Sequence, residues 1–156
     1  MMKFIADAML GRLAKWLRLL GFDVLYYPDI EDREVIRISR EQDRTILTRD
    51  TRMLKRRGLR DAVFIRSDHI SEQLLDMKDM LDLHDSDREE RCVICNGDLH
   101  TVSDRGEVQD LVPDYVYHNF ESFMRCNVCG KVYWEGSHYK KIRERTSEIL
   151  RKGNED

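Results

Sequence analysis

Apolar positions recur with two periods along the first half of the chain. Lys3 to Ala6 is a short apolar run that ends at Asp7, and Met9, Leu10, Leu13, Ala14, Trp16, Leu17 and Leu20 then follow at helical spacing. The pattern predicts a strand and then a helix, which Gly21 stops as a left-handed C′ residue. Asp23 to Tyr27, with Val24, Leu25 and two tyrosines, has strand composition, and Pro28 closes it. Asp32 opens a helix carrying Val35, Ile36 and Ile38. Thr45 to Thr48 reads as a third strand, Thr51 to Arg57 as a short helix, Ala62 to Ile65 as a fourth strand and Ile70 to Leu83 as a helix. Strands alternating with helices through short connections imply a parallel sheet with helices on both faces, an α/β domain over residues 1–88.

The texture then changes. Seven acids between Asp76 and Glu90 face only Lys78 and Arg88, the signature of a solvated helix end and linker. Beyond it stand paired cysteines, isolated aromatics, a β-like run at Lys131 to Trp134 and a charged helix from about His138 to Lys152. Residues 89–156 are therefore expected to form a second, metal-nucleated module.

Charge adds little selectivity: 27 Lys+Arg against 30 Asp+Glu give a net −3, so a nucleic-acid partner has to be held by local basic patches. The apolar stretch from Met9 to Leu20 is interrupted by Arg12, Lys15 and Arg18. It suits neither a signal peptide nor a membrane span, and a cytoplasmic protein is expected.

All four cysteines lie beyond Arg91 as two C-x-x-C pairs, Cys92/Cys95 and Cys126/Cys129. In a reducing compartment this spacing favours one tetrahedral zinc over disulfides, and four thiolates leave no open position for catalysis, so the expected site is structural. Two disulfides or four idle thiols are the alternatives. Thirty residues separate Cys95 from Cys126, and the expectation is a hairpin around Val108 to Tyr117 within that loop.

In a parallel sheet the loops at the carboxyl ends of the strands share one edge. Asp7, Asp32, Asp50 and Asp68 each follow one predicted strand. Converging carboxylates of this kind suit Mg²⁺ or Mn²⁺, which take a few carboxylates and keep waters for a substrate phosphate. Helix capping is the competing explanation, most directly for Asp32 and Asp50. Arg44, Arg49, Arg52, Lys55, Arg56, Arg57 and Arg60 form a basic run opposed only by Asp50, and Arg12, Lys15 and Arg18 form a stripe on the first helix. Both are candidates for a phosphate backbone, with a solvated helix face as the alternative for the stripe. Trp16 reads as core. Tyr133 and Trp134 offer either a base-stacking surface or a cover for the cysteines, and His138 either a phosphate contact or a surface residue.

Taken together, F-I-A-D-A-M-L-G-R-L-A-K-W-L-R-L-L-G-F-D at Phe4 to Asp23, T-I-L-T-R-D at Thr45 to Asp50, C-V-I-C-N-G at Cys92 to Gly97 and C-N-V-C-G-K-V-Y-W-E-G-S-H at Cys126 to His138 resemble the PIN-like family named for the Mut-seven C-terminal RNase domain. The resemblance implies a PIN-like nuclease domain followed by a zinc ribbon, with RNA as substrate and Mg²⁺ or Mn²⁺ in an acidic site. On the family pattern Asp7 matches the acid after the first strand, Asp50 the acid of the T-R-D motif and Asp32 the acid heading the intervening helix. A further acid has no clear counterpart, with Asp29, Glu34 and Asp68 as alternatives. The expectation is a metal-dependent ribonuclease acting on single-stranded RNA, with Asp7, Asp32 and Asp50 on the catalytic ions and Arg12, Arg49, Arg52, Arg56 and His138 on RNA. The rivals are a non-catalytic RNA-binding adaptor and a receiver-like phosphorylation switch. The latter is disfavoured because Ala6 and Ala8, not acids, flank Asp7.

Overall fold

The computed structural model describes residues 2–81, 89–135 and 138–152, with His138 and Tyr139 described by backbone alone. Four strands, β1 (Lys3–Ala6), β2 (Asp23–Leu25), β3 (Thr45–Thr48) and β4 (Ala62–Phe64), pair in parallel in the order β2-β1-β3-β4. Their alternating side chains feed two cores. Phe4, Ala6 and Leu47 face α1 (Gly11–Leu19) and α3 (Ile70–Met77), while Ile5 and Ile46 face α2 (Asp32–Gln42) and Met53. Phe4, Ile5, Ala6, Ile46 and Leu47 have no exposed surface, as befits a sheet covered on both sides. Trp16 is core, with Arg12 stacked over its ring at 5.2 Å.

The first helix begins two residues later than its apolar pattern. Asp7 uses its side chain to accept from the Met9 amide and its carbonyl to accept from Leu10, so the chain turns there before it winds. Gly21 ends the helix at φ 92°, donating to the Arg18 carbonyl. The helix read as Ile70 to Leu83 is helical from Ile70 to Met77, and Leu83 lies outside the described residues, as does the centre of the acidic stretch.

A second sheet, antiparallel and ordered β5-β6-β7, consists of β5 (Leu99–Thr101), β6 (Phe123–Cys126) and β7 (Val132–Trp134). The hairpin expected around Val108 to Tyr117 is not there. That loop holds a 3₁₀ turn, Arg105–Val108, and α4 (Asp114–Asn119). Val108, Val112 and Val116 recur every fourth residue and pack on Phe123 and Val132, while Pro113 has no amide to give a strand ladder. The last helix, α5 (His138–Lys152), packs back on α1 and α3, and Ile142, Ile149 and Leu150 join the core of the parallel sheet.

The cysteine-rich half docks along β2, the edge strand, through buried polar groups. The Val24 amide donates to Asn96 Oδ1 at 3.0 Å, and Asn96 Nδ2 and Arg44 Nη1 both donate to Asp23 Oδ1 at 2.7 Å. The Arg91 amide donates to the Arg18 carbonyl at 2.8 Å. Burial pushes the Asp23 carboxyl up, but the bonds from Arg44 and Asn96 outweigh it and hold the group below its ordinary range. Arg44 and Arg18 are therefore not part of a phosphate-binding surface. Both are buried, and both spend their guanidinium on the protein's own oxygens, Phe4 and Asp23 for Arg44, Val24 and Val93 for Arg18.

Candidate functional site

Strands β1 and β3 are neighbours running in the same direction, so the residues that follow them emerge side by side at one edge of the sheet. Asp7 leaves β1 there, buried at 5% exposure, with its amide bonded to the Leu47 carbonyl. Its carboxylate accepts from the Met9 amide on Oδ1, and from Thr48 Oγ1 at 2.6 Å and the Arg49 amide at 3.0 Å on Oδ2. Three of roughly four lone-pair positions are thus filled, and the one left is on Oδ1. Thr48, with no exposed surface, also accepts the Asp50 amide at 3.0 Å. A single hydroxyl therefore links the Asp7 carboxylate to the backbone of Asp50.

Asp50 bends toward its own loop. Its Oδ1 accepts from the Arg52 amide at 2.9 Å, which holds the carboxyl below its ordinary range, and the charges of Arg52 and Arg56 add to the effect. Arg56 also faces Asp32, at 3.6 Å from Oδ2, so one guanidinium stands between the second and third candidate acids. Asp32 is not a cap: Glu31 holds the N-cap position, and Asp32 lies in the first turn of α2, where the helix dipole favours a carboxylate. Of the alternatives for a further acid, Glu34 is committed to Arg37 at 2.7 Å, Asp68 is exposed beside His69, and Asp29 is exposed. Asp7, Asp32 and Asp50 do not form a trio within 4.8 Å. Among the described residues, only the four cysteines bring three or more ligand atoms that close.

The basic residues divide. Arg52 is exposed at its ion pair with Asp50, and Arg12 lies outside on α1. Arg49 is half-buried, its Nη2 reaching the Arg66 carbonyl at 3.5 Å, and its Nε is the one buried side-chain nitrogen or oxygen without a hydrogen-bond partner among the described residues. The side chain of His138 lies outside what the structure describes. Hard carboxylate oxygens with one open position on Asp7 suit a Mg²⁺ or Mn²⁺ that keeps most of its waters.

The cysteine site is closed. Cys92 and Cys129 sulfurs stand 3.6 Å apart and those of Cys95 and Cys126 3.4 Å, close to the ~3.8 Å edge of a tetrahedron with Zn–S bonds of about 2.3 Å. All four are free thiols, so the disulfide alternative falls. Each knuckle turns through a left-handed residue, Asn96 at φ 69° and Gly130 at φ 82°. Gly97 has no room for a side chain, since a Cβ there would lie 2.9 Å from Cys126 Sγ. The amides of Val128 and Cys129 point at Cys126 Sγ. Burial pushes the Cys95 thiol up to about 12. Burial acts the same way on Cys126, but there the Cys129 and Val128 amides overcome it and hold the thiol down at about 7. Four thiolates this close need a cation among them, and the donor set fits zinc. Tyr133 is the cover of this site, with its hydroxyl bonded to Cys92 Sγ and the Val93 amide at 3.1 Å each.

Thr48, which contacts both Asp7 and Asp50, was not among the residues singled out from the sequence; its signal there was a hydroxyl at the end of an otherwise apolar strand, directly before Arg49 and two residues before Asp50.

A parallel four-strand sheet with acids at its carboxyl edge is thus joined to a module whose four clustered cysteines could hold a metal ion. The family model of the Mut7-C RNAse domain matches residues 2–146, and the chain belongs to that family. Comparison with curated proteins and with solved structures gives no match.

Proposed function

We propose that the chain is a Mg²⁺- or Mn²⁺-dependent ribonuclease acting on single-stranded RNA in the cytoplasm, with an RNase unit at residues 1–88 and a structural zinc ribbon at residues 89–156. The observation that carries it is the Asp7–Thr48–Asp50 unit at the strand ends of a domain in an RNase family. Asp7 and Asp50, with Asp32 behind Arg56, would hold the divalent ion, which when bound supplies an activated water and charge stabilisation for phosphodiester hydrolysis. The chain's own part is positioning. Thr48 and the Met9 and Arg49 amides fix Asp7, and the Arg52 amide fixes Asp50. Arg12, Arg52, Arg56 and His138 extend the contact along RNA by charge.

The test is cleavage of single-stranded RNA with and without added Mn²⁺ or Mg²⁺. Cleavage should require the ion and vanish in Asp7→Asn; activity in EDTA, or full activity in that variant, refutes the assignment. The pairing of Asp32 with Arg56 and the separation of the three acids favour a second reading, an RNA-binding adaptor. Binding that survives EDTA without turnover under any divalent ion would select it.

A further inference from the structure

Arg18 is a buried cation without a carboxylate of its own. It sits in the last turn of α1 with 3% of its surface exposed, and its Nε and Nη1 donate to the carbonyls of Val24 and Val93 at 2.9 and 2.8 Å. Both acceptors are neutral. Among the described residues no carboxylate lies within ion-pair distance of it. The nearest acid in sequence, Asp23, has already given Oδ1 to Arg44 and Asn96. A guanidinium in such a place needs a counter-charge, because burying an unpaired ion costs several kcal/mol. Val93 lies between Cys92 and Cys95, so the carbonyl that Arg18 Nη1 reaches belongs to the first cysteine knuckle.

We propose that Arg18 is the counter-charge of the zinc–tetrathiolate centre, so that zinc loading and the order of the α1–β2 edge of the nuclease sheet form one equilibrium. Four thiolates around one Zn²⁺ carry a net charge of roughly −2, enough to leave negative charge facing Arg18 after the metal is bound. The reach is short on both sides. The carbonyl of Arg18 takes the Arg91 amide, one residue before Cys92, and Leu19 packs against Cys92 and Val93. Asn96, which turns the first knuckle, accepts the Val24 amide. The same helix begins four residues after Asp7, so order at its far end is tied to the loop that carries the acid.

The proposal rests on zinc occupying the cysteine site, and its test is read without RNA. Zinc affinity is measured by chelator competition on the full chain for wild type, Arg18→Lys and Arg18→Met. Arg18→Met should bind about 10-fold more weakly or worse, in the range of outer-shell substitutions, with Arg18→Lys between it and wild type. Equal affinity in wild type and Arg18→Met, or a lysine variant as weak as the methionine one, overturns the assignment. Absence of zinc from wild type would instead sink the zinc reading itself. Hydrogen exchange on wild type covers the case in which Arg18→Met does not fold. Stripping the metal should cost the amides of Gly21, Val24 and Arg91 at least about 10-fold in protection ahead of Ile46 in β3, and unchanged protection at those three amides overturns the proposal.

Discussion

Replacing Thr48 by valine removes one oxygen and almost no volume. The lost bond to Asp7 Oδ2 is 2.6 Å long, fully buried and made to a carboxylate, which places it among hydrogen bonds that contribute about 1.5–3 kcal/mol. The Asp50 amide loses its acceptor in the same step, but it is only part-buried and water can replace the hydroxyl there. A loss of about 2–3 kcal/mol is expected, or roughly 4–12 °C in Tm for a chain of this size. Thr48→Ser keeps the oxygen and drops a methyl, so it should lose only about 0.5–1.5 kcal/mol. The assay is thermal unfolding of both variants, with Mn²⁺ titration of RNA cleavage beside it. If Thr48 positions two metal-holding acids, Thr48→Val should also weaken the apparent Mn²⁺ affinity by about 10- to 100-fold. A valine variant melting within about 1 °C of wild type, or a serine variant as unstable as the valine one, would show that the hydroxyl does not tie Asp7 to Asp50.

Two other expectations follow from the junction and the cysteines. Asp23→Asn should destabilise by about 3 kcal/mol near neutral pH, because it strips the charge facing buried Arg44. Since the folded Asp23 carboxyl lies below its unfolded value of about 3.9, the stability it contributes is complete above that pH and lost as pH falls through the folded value. The difference between wild type and Asp23→Asn in denaturant melts should therefore stay flat from pH 7 to about 5 and shrink below about 4; a difference that persists at pH 2 would contradict this. Purified protein should carry one zinc per chain by elemental analysis, and Cys92→Ser should lose it; a metal-free wild type would refute the zinc assignment.

The strands of the parallel sheet were legible as short apolar runs separated by polar and turn-forming residues, and β1 and β3 begin and end where the pattern places them. The cysteine site was legible for a different reason: two C-x-x-C turns have little else to do than share an ion. What the pattern hid was the sign of burial for charged residues. Arg18 and Arg44 look like members of basic surface groups, yet their fates are set by carbonyls and an acid far away in sequence, which no local periodicity reports. The same holds for the loop before β6, where valines four apart marked helical turns rather than a hairpin. Asp32 was placed on the correct helix, but its partner Arg56 comes from another connection and is visible only in three dimensions.

The return of α5 to the first sheet also sets a schedule for the newborn chain. Leu13, Leu17 and Leu74 lie in the cluster that Leu150 completes, and every one of them is synthesised long before it. Until the ribosome has released α5, that oily flank stays wet, and the half of the molecule bearing Asp7 waits on a helix made well after it.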